Sequence, residues 1–127
     1  MGRIRGNIEV MGHECWALFD SGAKNTYVVR DVAVGLPTFD ITNPESVSLG
    51  GKVHQVTQNC WIEGMLEGLP IRCHARVLNN IGADDDGKNI EILFGALAMQ
   101  EWGIRLNLEE EKLDLSHYPK EFVEEFE

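Results

Sequence analysis

The stretch WALFDSGA, residues 16–23, is the most informative part of the chain. Four apolar residues in a row indicate a strand that is covered on both faces, and this strand runs directly into Asp20. A carboxylate at the end of a buried strand is costly unless its charge is hydrogen-bonded or shared. The Ser21 hydroxyl and the Gly22 amide could supply those hydrogen bonds, and Gly22 also permits a sharp turn. From these residues alone, the segment is either a turn at which the chain leaves the core or the site of a catalytic carboxylate.

Composition and charge indicate one globular domain. Of the 127 residues, 43% are hydrophobic and 25% are charged, which is ordinary for such a domain. No apolar run approaches the roughly 18 residues of a membrane span, and the N-terminus lacks the apolar stretch of a signal peptide. A formal net charge of −10 argues against a nucleic-acid partner.

An odd number of cysteines without paired spacing predicts reduced thiols and a cytoplasmic location. The three cysteines are Cys15, Cys60 and Cys73.

Alternating apolar and polar residues predict a mostly β fold. A period of two is typical of strands that bury one face. Residues 15–19 and 90–94 are more continuously apolar, as expected of strands covered on both faces. Turn residues separate these runs, and we expect mostly antiparallel pairing. The alternating runs are 4–10, 56–62, 71–77 and 104–108.

The C-terminal part predicts one short helix and a hairpin. Residues 96–102 are mostly good helix formers, and Gly103 follows as a stop. Ala98 and Trp102 lie four positions apart and can share an inward face. Residues 109–111 are expected to form the tip of a hairpin that joins 104–108 to 113–115.

We expect a single domain over residues 1–118, followed by an acidic tail over residues 119–127. A helical turn or two is one option for this tail. Its apolar stripe would then consist of Phe122, Val123 and Phe126.

Three landmarks in a fixed order resemble the retropepsin-like aspartic protease family. Residues 20–23, Asp-Ser-Gly-Ala, follow an apolar run and precede Thr-Tyr-Val at 26–28. Residues 92–95, Ile-Leu-Phe-Gly, precede the predicted helix, and a segment with Gly50 and Gly51 lies between the two landmarks. The resemblance covers roughly residues 4–115. It implies a mostly β fold, namely a closed retropepsin-like barrel with one short helix in the C-terminal half.

The same resemblance assigns roles to individual residues. Asp20 would be catalytic, and the next three residues would support the active site. The segment from Leu49 to Gly51 would tip a flap that binds substrate, although two glycines there also suit a plain hairpin turn. Gly95 would be a structural glycine that lets the helix start close to the active-site turn. The supporting residues are Ser21, Gly22 and Ala23, and the flap residues are Leu49, Gly50 and Gly51.

Peptide hydrolysis by this route requires two carboxyl groups, one to take a proton from water and one to polarise the scissile carbonyl. Such a pair shares one proton, because two adjacent carboxylates cannot both ionise cheaply. The chain has one Asp-Ser-Gly, so a twofold homodimer with one Asp20 from each chain is expected. The resemblance implies that Ser21 hydrogen-bonds across the twofold axis. The sequence departs from the family pattern in three places. Ser21 replaces the commoner threonine, Phe94 is bulkier than the usual residue before the glycine, and the loop 79–89 is long and acidic.

A peptide-binding or scaffolding dimer without turnover is the alternative function. Residues 82–89, Gly-Ala-Asp-Asp-Asp-Gly-Lys-Asn, nearly match a phosphate-binding loop, but their three carboxylates would repel phosphate. They also lack the ligand spacing of a calcium loop, so we expect a solvated loop. The His and Cys residues show no four-ligand zinc spacing. We therefore expect no metal and no organic cofactor, with a peptide or protein as the substrate.

Overall fold

The computed structural model describes residues 2–119. The prediction of a helical tail over 119–127 falls outside the described residues, apart from Pro119. The boundary between a domain ending at residue 118 and a separate tail stays a prediction.

The described chain forms nine strands and two short helices, which confirms a mostly β fold. The strands are β1 (Arg3–Val10), β2 (His13–Asp20), β3 (Tyr27–Val29), β4 (Thr38–Leu49), β5 (Lys52–Leu66), β6 (Leu69–Leu78), β7 (Ile92–Phe94), β8 (Arg105–Asn107) and β9 (Lys112–Asp114). The helices are α1 (Arg30–Ala33) and α2 (Ala96–Glu101).

Strands β1–β7 form one mixed sheet in the order β1-β2-β7-β3-β6-β5-β4. Most strand pairs of the described chain are antiparallel, as expected. The exceptions lie at the centre of the sheet, where β2 pairs with β7 and β3 with β6 in parallel. The period-two pattern identifies strands, but it does not show whether two strands pair in parallel or antiparallel. All three residues of β7 are buried, as is usual for strands in parallel sheets. Strand β1 also meets β5 at one pair, Glu9 and Met65. A closed barrel stays a proposal.

The alternation in residues 71–77 is confirmed by burial. Ile71 and Cys73 face the core, whereas Arg72 and His74 are exposed. The larger core cluster contains Phe19 and Phe94, whose ring centroids lie 5.3 Å apart. A smaller cluster lies beneath part of β4. Its buried members are Leu18, Tyr27, Val56, Leu78, Ile90 and Leu93.

The predicted helix is present as α2, and Trp102 at its C-terminal end is buried. Gly103 has a φ of +64°, and a Cβ there would lie 2.0 Å from the His117 carbonyl oxygen, so glycine is required. The predicted hairpin is present as β8 and β9. Helix α1 was not predicted, because it has only four residues and no side-chain cap.

Candidate active site

Asp20 is the last residue of β2 and lies where this strand leaves the sheet. Its side chain is 15% exposed, and Oδ2 lies 3.7 Å from Nε of Arg3, an exposed residue. The Gly22 amide donates a hydrogen bond of 2.8 Å to Oδ1, as the sequence suggested. The Ala23 amide donates to the Asp20 carbonyl oxygen at 3.2 Å, which closes the turn. The ion pair between Asp20 and the exposed Arg3 is worth at most about 1 kcal/mol. The charge-assisted hydrogen bond from the Gly22 amide therefore does more to orient the carboxylate.

The Ser21 hydroxyl does not bond Asp20, and this corrects the sequence-based expectation. Its Oγ accepts a hydrogen bond of 3.0 Å from the Gly2 amide and donates one of 3.2 Å to the Gly2 carbonyl oxygen. The Ser21 amide donates to the same oxygen at 3.0 Å. The cause is the register of β1 with β2, which places Arg3 opposite Asp20 and so brings Gly2 opposite Ser21. Within this chain, Ser21 anchors the start of β1.

The first turn of α2 braces the loop that follows Asp20. The Ala96 amide donates to the Ala23 carbonyl oxygen at 2.7 Å, and the Leu97 amide donates to the Lys24 carbonyl oxygen at 3.1 Å. The Gly95 amide donates to Oγ1 of buried Thr26 at 3.1 Å. These three bonds fix the loop to the helix.

Parallel pairing explains why the loop and the helix meet. Phe19 is opposite Phe94 in the β2–β7 register, so Asp20 and Gly95 leave the sheet side by side. A Cβ on Gly95 would lie 2.1 Å from the Asn25 carbonyl oxygen and 2.9 Å from that of Ala23. Only a residue without a side chain allows this close approach.

The β4–β5 hairpin has the two-glycine turn at its tip. Leu49 pairs with Lys52, and the two residues between them, Gly50 and Gly51, have φ values of +58° and +79°. Positive φ at both central positions is typical of a tight hairpin whose twist matches its strands. Both glycines are exposed. The geometry establishes a hairpin, whereas its role as a flap stays a prediction.

The arm of this hairpin shares an apolar floor with the Asp20 strand. Leu49 and Val47 pack against the smaller core cluster, which contains Leu18, two residues before Asp20. Ala23, in the loop after Asp20, packs against the same cluster. The hairpin and the candidate catalytic loop therefore border one apolar region.

The acidic loop is anchored by Asp84, and the expectation of a solvated loop is wrong for this residue. Its side chain is 3% exposed. Asp84 accepts hydrogen bonds from Nε1 of Trp16 at 2.8 Å and from the backbone amides of Lys88 and Asp86, each at 2.9 Å. The Lys88 amide and the Trp16 indole hold the pKa of Asp84 below its usual range. Arg5 on β1 contacts both Asp84 and Asp86, so an ion pair also ties the loop to the sheet.

A cleft of about 530 Å³ lies between this loop and the first two strands. Trp16, Leu18 and Ile90 contribute apolar lining, and Asp84 contributes charge. The Lys88 ammonium lies 4.0 Å from the centroid of the Trp16 ring, a cation–π contact. Arg3 lines the cleft and also pairs with Asp20, so the cleft adjoins the candidate catalytic carboxylate.

All three cysteines are free and buried. Burial raises the pKa of Cys15 and Cys60 to about 11 and that of Cys73 to about 12. Within residues 2–119, no group of three or more His, Cys, Asp or Glu side chains is placed to hold a metal ion. In the same part of the chain, no helix is long and apolar enough to cross a membrane.

Sequence reasoning missed four residues that organise the site: Gly2, Arg3, Thr26 and Asp84. Only Thr26 gave a signal, as a polar residue directly before the apolar residues of β3. The other three act through partners that are distant in sequence. The Trp16–Asp84 hydrogen bond, for example, spans 68 positions.

Comparison with solved structures identifies the fold. The retroviral protease-like domain of Ddi1 from Leishmania major aligns over 94% of this chain and 94% of its own, with a TM-score of 0.64 and 15% identity. EIAV protease in complex with the inhibitor HBY-793 aligns over 84% of this chain and 94% of its own, with a TM-score of 0.60 and 14% identity. The foamy viral protease-reverse transcriptase aligns over 79% of this chain and 12% of its own, with a TM-score of 0.52 and 11% identity.

At the level of sequence, no family model and no curated protein matches the chain. The structural matches nevertheless span most of it. The chain has a retropepsin-like fold, as the ordered landmarks in its sequence predicted.

Proposed function

We propose that the protein is an aspartic endopeptidase whose active site forms between two copies of the chain. The observation that carries this proposal is the placement of Asp20. Asp20 is the last residue of the buried strand β2, and its carboxylate accepts a hydrogen bond from the Gly22 amide. The loop that follows Asp20 is braced by the start of α2. The retropepsin-like fold supports a peptidase, because the similar structures include a retroviral protease bound to an inhibitor. One carboxylate per chain requires a second copy to complete the pair.

The proposed reaction uses water as the nucleophile. With the two Asp20 carboxyl groups sharing one proton, the ionised group takes a proton from water while the other donates its proton to the carbonyl oxygen. The new C–O bond gives a tetrahedral diol. The carboxyl group that took the proton from water then donates it to the amide nitrogen, while the other carboxylate takes a proton from a diol hydroxyl. Cleavage of the C–N bond releases an amine and a carboxylic acid, and the pair again holds one proton. No covalent enzyme intermediate and no cofactor enter this sequence.

The hairpin gives the substrate a place to bind. An extended peptide lying between the Asp20 loop and the β4–β5 hairpin would meet the apolar floor beneath Leu49. The exposed backbone at Gly50 and Gly51 would close over it and hydrogen-bond to the peptide as an added strand. In this proposal Ser21, Gly22 and Ala23 hold the loop in shape, and Gly95 allows the helix to brace it.

A dimer must overcome like charge. Each chain carries a formal charge of −10, which opposes association at neutral pH and low salt. Screening salt or partial protonation of surface carboxylates should therefore favour the dimer. We further propose that the sheet closes as a barrel within a domain of residues 1–118. The three reduced thiols support a cytoplasmic location.

Cleavage of a peptide library by wild type and by Asp20→Asn tests this function. Asp31→Asn is a matched control, because Asp31 is exposed in the first turn of α1, outside the candidate site. We expect cleavage by wild type and by the control but none by Asp20→Asn, with specific activity rising with protein concentration as the dimer forms. Equal cleavage by Asp20→Asn would refute the assignment.

A dimer that binds peptides without cutting them is the second candidate. One observation favours it: the Ser21 hydroxyl donates its single proton to the Gly2 carbonyl oxygen of the same chain. A hydrogen bond from Ser21 across the twofold axis would need that contact to open. If wild type and Asp20→Asn bind the same peptides equally and cut none at any protein concentration, this second function is correct.

A further inference from the structure

An apolar pocket lies beside the candidate catalytic loop, and the proposed reaction does not use it. It has a volume of about 440 Å³ and is bounded by the start of β1, helix α2 and strand β8. Ser21, the residue after Asp20, is part of its wall. Among the described residues that line it, only Arg105 has an ionisable side chain. The apolar or small residues of the lining include Gly2, Met99, Ile104, Leu106 and Leu108.

Two half-exposed leucines extend the apolar surface around this pocket. Leu108 is 53% exposed, and a Cβ on Gly2 would lie 2.8 Å from both of its terminal carbons, so its side chain rests on the Gly2 backbone. Leu97 is 49% exposed and lies in the first turn of α2, whose Ala96 also lines the pocket. We call the pocket and these two leucines the apolar face. Exposed apolar surface of this kind is typical of an interaction site.

The apolar face is connected to Asp20 by short hydrogen bonds. Gly2 is bonded to the residue after Asp20 through both the hydroxyl and the amide of Ser21. The Leu97 amide donates to the Lys24 carbonyl oxygen, in the loop that follows Asp20. A partner on this face would therefore contact the residues that hold the Asp20 loop in place.

We infer that a second copy of the chain docks on the apolar face, an inference that rests on the proposed function. Two carboxyl groups that share a proton lie about 3 Å apart, so a partner that brings its own Asp20 must also cover the residues next to this one. In a twofold dimer the same face of both chains takes part. Stable dimers bury about 800 Å² per chain, so the apolar face would be the centre of a larger interface.

Charge favours the apolar face over the cleft beside the acidic loop. Two chains that each carry a formal charge of −10 repel one another most strongly where carboxylates face carboxylates. The described residues that line the pocket include no carboxylate. Like charge therefore opposes association through the apolar face less than association through the cleft. The carboxylates in the lining of the cleft are those of Asp84, Asp85, Asp86 and Glu111.

Sedimentation of Leu97→Gln/Leu108→Gln over a series of protein concentrations tests the inference. The change leaves the net charge as it is, and both side chains are exposed in the single chain. We expect the dissociation constant of the dimer to rise by roughly 100–1000-fold, because four leucines per dimer lose apolar contact. Each single variant should give a smaller rise, which decides the matter if the double variant does not fold. The matched control, Met11→Gln/Val34→Gln, changes residues that are 62% and 80% exposed outside this face and should leave the dimer unchanged.

Peptide cleavage by the same proteins separates this inference from the proposed function. The leucine variant should lose activity at low protein concentration and regain wild-type activity where it is concentrated enough to dimerise. If wild type dimerises through these leucines but cuts no peptide, the apolar face is confirmed as the dimer contact and the peptidase proposal fails.

Two results would overturn the inference. In the first, wild type stays monomeric at every concentration. In the second, the leucine variant dimerises as tightly as the control. Weaker peptide binding by the leucine variant in that second case would assign the apolar face to substrate.

Discussion

Replacing Gly95 by alanine is expected to destabilise the protein by displacing the loop that carries Asp20. The backbone at Gly95, with φ −92° and ψ 177°, is open to any residue, so the substitution causes no torsional strain. Its effect comes from space alone. The added methyl group would lie 2.1 Å from the Asn25 carbonyl oxygen and 2.6 Å from its carbonyl carbon, and backbone atoms cannot rotate away as a side chain can.

The loss in free energy of unfolding depends on which backbone atoms must move to relieve the overlap. Relieving the overlap requires a shift of about 1 Å between the loop and α2, which would lengthen the 2.7 Å bond from the Ala96 amide beyond hydrogen-bond range. The bonds made by the Leu97 and Gly95 amides lie in the same contact. Loss of two or three bonds costs about 2–4 kcal/mol, and the smaller unfolded-state entropy of alanine offsets about 0.4–1 kcal/mol. The net loss is therefore about 1–3.5 kcal/mol.

Urea unfolding of Gly95→Ala and of Gly6→Ala measures this effect. Gly6 is the matched control, because a Cβ there would make only an ordinary contact of 3.5 Å with the Phe19 ring. We expect a lower midpoint with an unchanged m-value for Gly95→Ala, and a change within about 1 kcal/mol for Gly6→Ala. The reasoning is refuted if Gly95→Ala is as stable as Gly6→Ala.

The remaining predictions concern protonation and reactivity. Because its folded-state pKa is lowered, Asp84 stabilises the fold fully above the pKa of an unfolded aspartate, about 4, and this contribution is lost as the pH falls through the folded value. Asp84→Asn should therefore be less stable than wild type at pH 7, with a difference that narrows in acid; a difference independent of pH would contradict this. Cys15, Cys60 and Cys73 should resist alkylation in the folded protein at about pH 8 and react on unfolding, and rapid labelling of the folded chain would show that burial does not protect them. Peptide cleavage should be fastest below about pH 7, because the two Asp20 carboxyl groups must share a proton; a flat rate from about pH 4 to 8 with a fully formed dimer would count against the pair.

The sequence predicted the strands and α2 well because their signals are local. Alternation at Ile71 and Cys73 reflects the pleat itself, and Gly103 ends α2 because a positive φ and a close backbone contact require glycine. The direction of strand pairing is not local. Parallel pairing of β2 with β7 joins segments about 75 residues apart, and no period within either strand encodes it.

In the candidate site, too, contacts between residues close in sequence were predictable, whereas contacts between distant residues were not. Asp20 and its bond from the Gly22 amide were predictable, because they lie two residues apart. The partner of Ser21 was not, because the β1–β2 register brings Gly2 to it from 19 residues away. Asp84 resembled its neighbours in an acidic run, yet it alone accepts a bond from Trp16. Its burial depends on a tertiary contact that composition cannot reveal.

The most direct test of a shared active site is to titrate Asp20→Asn into a fixed amount of wild type while measuring peptide cleavage. If each site needs one Asp20 from each chain, mixed dimers are inactive, and an equal amount of the variant should lower the rate to about half at saturating dimer. A larger excess should lower it further. Asp31→Asn, added in the same amounts, should cause no such loss. A rate that is unchanged by excess Asp20→Asn would show that each chain cuts alone and would contradict the account.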